Sequence, residues 1–362
     1  MRKRILILTG GGDVPGLNNL IKWSTKSLLD ESLSKPGEYE VIGIKHGFKG
    51  LLSKDIDRNI IPLDESTVRT WDRVGGTNLG SGRDKLEEEK GHFDIIEDNL
   101  DLLKCYAVEV VGGNDHMGYN AYKLYQRGIR VVGVPKTIDG DVKGTEKVIG
   151  ISTAIQFNGE MINRLKTTAG SHNMIFFYET MGRKAGWLAL KSAIAGQTSL
   201  VLVPEFPFRL EALCRRIQDR RNNGHRYDII VISEGAKIQG YEETVQDDSL
   251  DAYGNVKLGG ISALVANLVK KELGYETRHV IPGHLQRGGT PNQQDLELSM
   301  QFGIAAAQLI KEGNFGNYVV FRHGQTGYRP LEESLKDPKL VSLKHYSPER
   351  LTYQRTLELL RL

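Results

Sequence analysis

Cysteine is nearly missing from this chain: Cys105 and Cys214 are the two in 362 residues. A disulfide scaffold and a cysteine-rich zinc site are therefore excluded. No apolar run approaches the ~20 residues of a membrane span, so no membrane partner is expected. Neither sign of charge dominates, since 48 Lys and Arg against 45 Asp and Glu leave +3 with the signs interspersed, and no nucleic-acid partner is expected. No proline-rich linker, low-complexity tract or solenoid-length repeat divides the chain. After Met1-Arg2-Lys3-Arg4 the apolar stretch 5–8 is too short for a signal peptide, which predicts a cytoplasmic location.

What the chain does have is glycine, 41 residues or about 11% against a usual ~7%. They cluster at the ends of apolar runs, where bare backbone can approach a ligand. The length predicts two domains, or one large α/β unit with a second lobe. Short β-branched runs recur, most giving way to a segment with helical spacing. Residues 5–8 meet Gly10-Gly11-Gly12-Asp13, after which Leu17, Leu20, Ile21 and Leu28 share one helical face. Residues 107–111 meet Gly112-Gly113, and 117–126 reads as a helix. Further strands are expected at 131–134, 174–178, 200–203, 229–232, 279–281 and 318–321. Strand followed by helix, with short connections, predicts an α/β fold of mainly parallel sheets with helices on both faces. Loops are expected at 31–40 and 238–259.

In open α/β sheets, ligands sit beyond the carboxyl ends of the strands. Three such ends carry glycine and acid. Thr9-Gly10-Gly11-Gly12-Asp13 can turn backbone N–H groups toward an anion, or it is simply a tight turn. Gly112-Gly113-Asn114-Asp115 precedes a helix, and its carboxylate reads equally as a cap. Pro135-Lys136-Thr137-Ile138-Asp139-Gly140-Asp141 packs a cation, a hydroxyl and two carboxylates into one exit, with Asp139 the candidate general base. In the second half, Glu179-Thr180-Met181-Gly182-Arg183 and Gly283-His284-Leu285-Gln286-Arg287-Gly288-Gly289 each set an arginine beside glycine. The guanidinium fork suits phosphate oxygens, and Arg278 and Glu234 stand near other strand ends. These residues point to an α/β protein that handles phosphorylated small molecules.

At these motifs the sequence resembles the phosphofructokinase family. The resemblance lies in residues 9–16 with Asn18, 75–83, 112–118, 135–141, 179–188, Glu234, and 278–291 with Asp295. It implies a two-lobed fold, with 1–150 and 286–337 as the phosphoryl-donor lobe and 151–285 with 338–362 as the sugar-phosphate lobe. It also implies that Asp139 takes the proton from the 1-hydroxyl of fructose 6-phosphate, with Thr137 beside the reacting groups. Met181, Gly182, Arg183 and Glu234 would bind the sugar, Arg183 also meeting charge on the transferring phosphoryl group. Arg278, His284 and Arg287 would hold the 6-phosphate, and Gly12 and Arg83 the donor. Mg²⁺ is the implied cofactor, and the partners are a phosphoryl donor and further copies of the chain in a homodimer or homotetramer.

Two positions bear most on the donor. Asp115 stands where nucleotide-using relatives usually have glycine, so its carboxylate would crowd and repel an α-phosphate. Lys136 resembles the lysine of diphosphate-dependent members, where an ammonium offsets charge on the leaving phosphate. Asp84, after Arg83, is a poor surface for an adenine ring. The expected donor is inorganic diphosphate, with an ATP-dependent enzyme and a non-catalytic sugar-phosphate-binding relative as the alternatives. Three positions depart from the family pattern. Asn114 replaces an aspartate associated with Mg²⁺, Gly140 replaces an asparagine, and Met174 replaces an arginine that reaches a neighbouring subunit's sugar phosphate. Lys22, Lys26 and Lys166 match basic effector positions of bacterial ATP-dependent members, although surface lysines are commonly only solvated charges.

Overall fold

The computed structural model describes residues 2–32, 35–241, 247–250, 256–257 and 260–342. By contacts the chain divides into two compact units. The first holds the chain up to Thr137, Val142–Thr153 and Arg287–Pro338; the second holds Ile138–Asp141, Ala154–Gln286 and the chain from Lys339. This division departs from the expected lobes at four places. The loop Ile138–Asp141 and Gln286 cluster with the second unit, and residues 151–153 and Pro338 with the first. Hydrogen bonding gives the reason: the Lys339 N–H donates to the Asp141 carbonyl at 2.8 Å, while the Thr153 N–H donates to the Asp295 carboxylate at 2.7 Å.

Strands of the first unit are β1 (Lys3–Thr9), β2 (Tyr39–Ile44), β3 (Ile60–Leu63), β4 (Cys105–Gly112), β5 (Val131–Thr137) and β6 (Ile149–Gly150). The second unit supplies β7 (Ile175–Thr180), β8 (Leu200–Leu202), β9 (Asp228–Ser233), the short pair β10 (Asp247–Leu250) and β11 (Val256–Lys257), and β12 (Thr277–Val280). The chain then adds β13 (Asn317–Arg322) and β14 (Gln325–Pro330) to the first unit. The large sheet runs β14-β13-β5-β4-β1-β2-β3, with β6 beside β5. All its pairings are parallel except those of β3 and β14, which fold back antiparallel onto β2 and β13. These two edges were not anticipated, because residues 60–63 and 325–330 lack a long apolar run.

The second unit's sheet, β12-β7-β9-β8, is wholly parallel. Its sequence explains why both faces are covered. Side chains alternate along a strand, and here both sets are apolar. Ile175, Phe177, Ile230 and Ile232 join a core with Leu213 and Val265 from helices Leu210–Asn222 and Ile261–Leu273. Phe176, Tyr178, Ile229 and Val231 join another with Ala189 and Ile162 from helices Trp187–Ala195 and Ile151–His172.

Residues 117–126 are not one regular helix. Asn114–Asn120 is a wide π-type turn, its Gly118 N–H reaching back to the Gly113 carbonyl at 3.4 Å, and an α-helix follows over Ala121–Gln126. The expected loop 31–40 already enters β2 at Tyr39, with residues 33–34 outside the described residues. Most of segment 238–259 also lies outside them, but β10 and β11 pair antiparallel within it. Cys105 and Cys214 are free thiols. Among the described residues no helix is long and apolar enough to cross a membrane.

Candidate active site

In the first unit β1 stops at a glycine turn because other groups occupy the space where side chains would go. A β-carbon on Gly10 would lie 2.4 Å from His116 Cδ2, and one on Gly12 would lie 2.5 Å from Arg287 Nη1. The turn is tied on both sides. The Gly10 N–H donates to the Val111 carbonyl at 2.9 Å and the Gly11 N–H to the Gly82 carbonyl at 2.7 Å. Thr9 Oγ1 donates to the Gly80 carbonyl at 2.8 Å, and Asn18 Nδ2 to the carbonyls of Val74 and Gly75. Residues 75–83, matched in sequence to the glycine turn only by resemblance, are thus joined to it by hydrogen bonds.

Lys136, 3% exposed at the end of β5, donates from Nζ to the Gly12 carbonyl at 2.6 Å. A buried ammonium is thereby fixed on the turn, where it offers positive charge without first being desolvated. His116 packs beside it, stacked 6.1 Å from Phe48. Burial first, then the charge of Lys136, pushes the imidazole down to about 3, so it is neutral at physiological pH. Sequence reasoning passed over His116; the signal was its place next to Asp115 in a run already marked for anion binding. Asp115 and Arg83 are exposed, and Asn114 is half-buried. Arg287, assigned to the sugar 6-phosphate by resemblance, belongs to this unit and reaches the Asp13 carbonyl at 3.3 Å. Thr137 closes β5 opposite Gly150 of β6.

The second unit brings Asp139, Gly182, Arg183 and Glu234 into one electrostatic group. The Gly182 N–H donates to Glu234 Oε1 at 3.3 Å, and the Gly182 carbonyl accepts from Ser233 Oγ at 2.7 Å. Gly182 sits at φ 132°, a conformation closed to side chains. Burial, then the negative charge of Asp139, pushes Glu234 up to about 7, against the Gly182 N–H and Arg183. Gln286, 1% exposed, was also overlooked. Its Oε1 accepts from the Met181 N–H at 3.3 Å and from Asn158 Nδ2 at 3.1 Å, holding the start of the 181–183 run.

Other expected sugar residues stand apart from that group's bonding. Arg278 is exposed and donates to Glu276 at 2.9 Å, and His284 is exposed on the turn Gly283–Arg287. Glu179, at the head of the same motif, caps a helix: its carboxylate accepts from the Gly260 and Ser262 N–H groups at 2.9 and 3.0 Å. Of the three effector-matched lysines, Lys22 pairs with Asp72 and Lys26 with Glu65. Lys166 lines a cavity of about 340 Å³ with Arg216, Arg220, His225 and Arg226.

A glycine turn carrying a fixed ammonium, and a second unit with clustered carboxylates and an arginine, are features of enzymes that handle phosphate groups. The phosphofructokinase family pattern matches residues 4–310, and the chain belongs to that family. The pyrophosphate–fructose 6-phosphate 1-phosphotransferase of Streptomyces coelicolor is 36% identical over 338 residues, 93% of this chain and 96% of its own. ATP-dependent 6-phosphofructokinase 2 of Clostridium perfringens is 38% identical over 357 residues, 94% of this chain and 93% of its own. The pyrophosphate-dependent phosphofructokinase of Nitrosospira multiformis shares the fold, with a TM-score of 0.82 at 20% identity over 99% of this chain and 92% of that one.

Proposed function

We propose that the protein transfers a phosphoryl group from inorganic diphosphate to the 1-hydroxyl of fructose 6-phosphate, giving fructose 1,6-bisphosphate in a reversible reaction. The observation that carries the donor assignment is the buried Lys136 ammonium on the Gly12 carbonyl, with Asp115 in the first turn after the neighbouring strand β4. A small, highly charged leaving group needs such a fixed cation more than a nucleotide does. An Asp115 carboxylate opposes a phosphate chain continuing past it.

Asp139 acts as the base that accepts the proton of the attacking hydroxyl, and Thr137 lies one residue from the start of its loop. Glu234, pushed up to about 7, is a weak fixed anion beside Asp139 and is suited to a sugar hydroxyl. Arg183 meets the charge on the moving phosphoryl group, and Met181 and Gly182 bind the sugar. Gly12 and Arg83 hold the donor; Arg278, His284 and Arg287 serve the phosphate groups.

Among the described residues no cluster of three His, Cys, Asp or Glu side chains is arranged for a metal ion. Mg²⁺ is commonly held through substrate phosphates and one or two protein groups. Asn114 and Asp115 would hold it, and it would neutralise charge on the donor oxygens. A cytoplasmic location and assembly as a homodimer or homotetramer complete this reading.

The test is a side-by-side assay with Mg²⁺, fructose 6-phosphate and either diphosphate or ATP. Product from diphosphate but not from ATP is expected. Fast turnover with ATP alone favours the ATP-dependent reading, to which the Clostridium perfringens relative lends support. No product with either donor favours a sugar-phosphate-binding protein.

A further inference from the structure

The loop that carries Asp139 turns on a glycine. Ile138–Asp141 has Gly140 at φ 70°, and glycine leaves the backbone the widest freedom. Its far end is nevertheless held from outside. The Lys339 N–H donates to the Asp141 carbonyl at 2.8 Å. The segment that supplies this bond is itself fastened four ways. Trp187 Nε1 donates to the Lys339 carbonyl at 2.7 Å, and the Lys339 ammonium lies 5.2 Å from the Trp187 ring centre, a cation–π distance. The Val341 N–H donates to Glu205 Oε1 at 2.8 Å, while the Val341 side chain, 3% exposed, packs in the core with Tyr178, Val201 and Val203.

Both anchors also touch the run behind Arg183. Glu205 accepts from the Gly186 N–H at 2.9 and 3.1 Å, and a β-carbon on Gly186 would lie 2.9 Å from Glu205 Oε2. Trp187 opens the helix that follows. The same two side chains therefore fix the chain beyond Arg183 and the segment that holds the Asp139 loop, all within the second unit.

We propose that Lys339–Val341 is a strap that positions the catalytic loop, with Trp187 and Glu205 as its positioning residues. This rests on Asp139 being the base of the proposed reaction. Reaction rates are sensitive to the placement of such a base, so loss of the strap lowers turnover while sugar and donor still bind.

Lys339→Pro removes the N–H that holds Asp141, whereas Lys339→Ala keeps it and serves as the reference. Trp187→Phe keeps an aromatic face under Lys339 but lacks the indole N–H. Each variant is assayed with the donor the wild type uses, with its unfolding temperature measured in parallel and with Asp139→Ala alongside. Expected is a kcat for Lys339→Pro about tenfold or more below that of Lys339→Ala. KM for both substrates should stay within about twofold, with a smaller loss of the same kind in Trp187→Phe. Equal kcat in the proline and alanine variants, with Asp139→Ala inactive, overturns the strap and leaves the base assignment standing. Full activity in Asp139→Ala overturns both.

Discussion

Glu109 is an acid in the wrong place for a charge, and replacing it by glutamine should change how stability depends on pH. It stands on β4 in register between Ile7 and Val132, with none of its surface exposed. Ser24 Oγ donates to its Oε1 at 2.8 Å, and among the described residues Oε2 has no hydrogen-bond partner. Burial outweighs that single bond and pushes the carboxyl from 4.5 up to about 8. Below pH 4.5 the group is protonated in both folded and unfolded chains. Between 4.5 and about 8 the unfolded chain releases this proton and the folded chain keeps it, so stability falls as pH rises. Above about 8 both are ionised and the loss levels off. At about 1.4 kcal/mol per pH unit, the full loss is roughly 5 kcal/mol, of which roughly 4 falls between pH 5 and 8. Glu109→Gln cannot titrate, so relative to wild type it should gain about that much over the interval. Guanidinium unfolding of both proteins at pH 5, 6, 7 and 8, followed by tryptophan fluorescence, measures the difference; Trp23 and Trp71 lie in the same unit as Glu109. A difference that stays constant with pH would refute the reasoning, because Glu109 would then be ionised in the fold.

Three further outcomes are expected. Asp139→Ala should lower kcat by at least about 100-fold, the scale of a lost general base, while isothermal titration still detects fructose 6-phosphate with its affinity changed only a few-fold. Asp115→Gly should lower the KM for ATP about tenfold by removing a like charge near the phosphate chain, and an unchanged KM counts against the crowding argument. Glu234 should lose its proton as pH rises through about 7 and become a better acceptor for a sugar hydroxyl. The KM for fructose 6-phosphate should therefore fall between pH 6 and 8 in wild type, and this dependence should vanish in Glu234→Gln.

The strands that position the site could be read from the chain because their residues are apolar on both faces, a pattern that survives without any knowledge of neighbours. Residues 5–8, 131–134 and 229–232 are of this kind, and each lies within an observed strand. The edges β3 and β14 could not be read, since an edge strand needs only one apolar face and is specified by the strand beside it. The same distinction holds at the site. Lys136 announced itself by residue type in a strand exit dense in charged and hydroxyl groups, and Glu234 by its charge at a strand end beside Gly235. His116, Gln286 and Glu205 did not, because their importance lies in contacts across distant parts of the chain. Gly10 shows the limit most plainly: the sequence reveals a glycine, but only the fold reveals that an imidazole occupies the place of its side chain.

The two antiparallel borders of the large sheet restrict how copies of this protein can join. β3 has four residues, one of them Pro62, which lacks an N–H; β14 ends at Arg329 and Pro330. Short rims interrupted by proline give an incoming backbone little to zip onto. Where copies meet, side-chain surfaces rather than sheet edges should make the contact, which keeps concentrated solutions from growing ribbons.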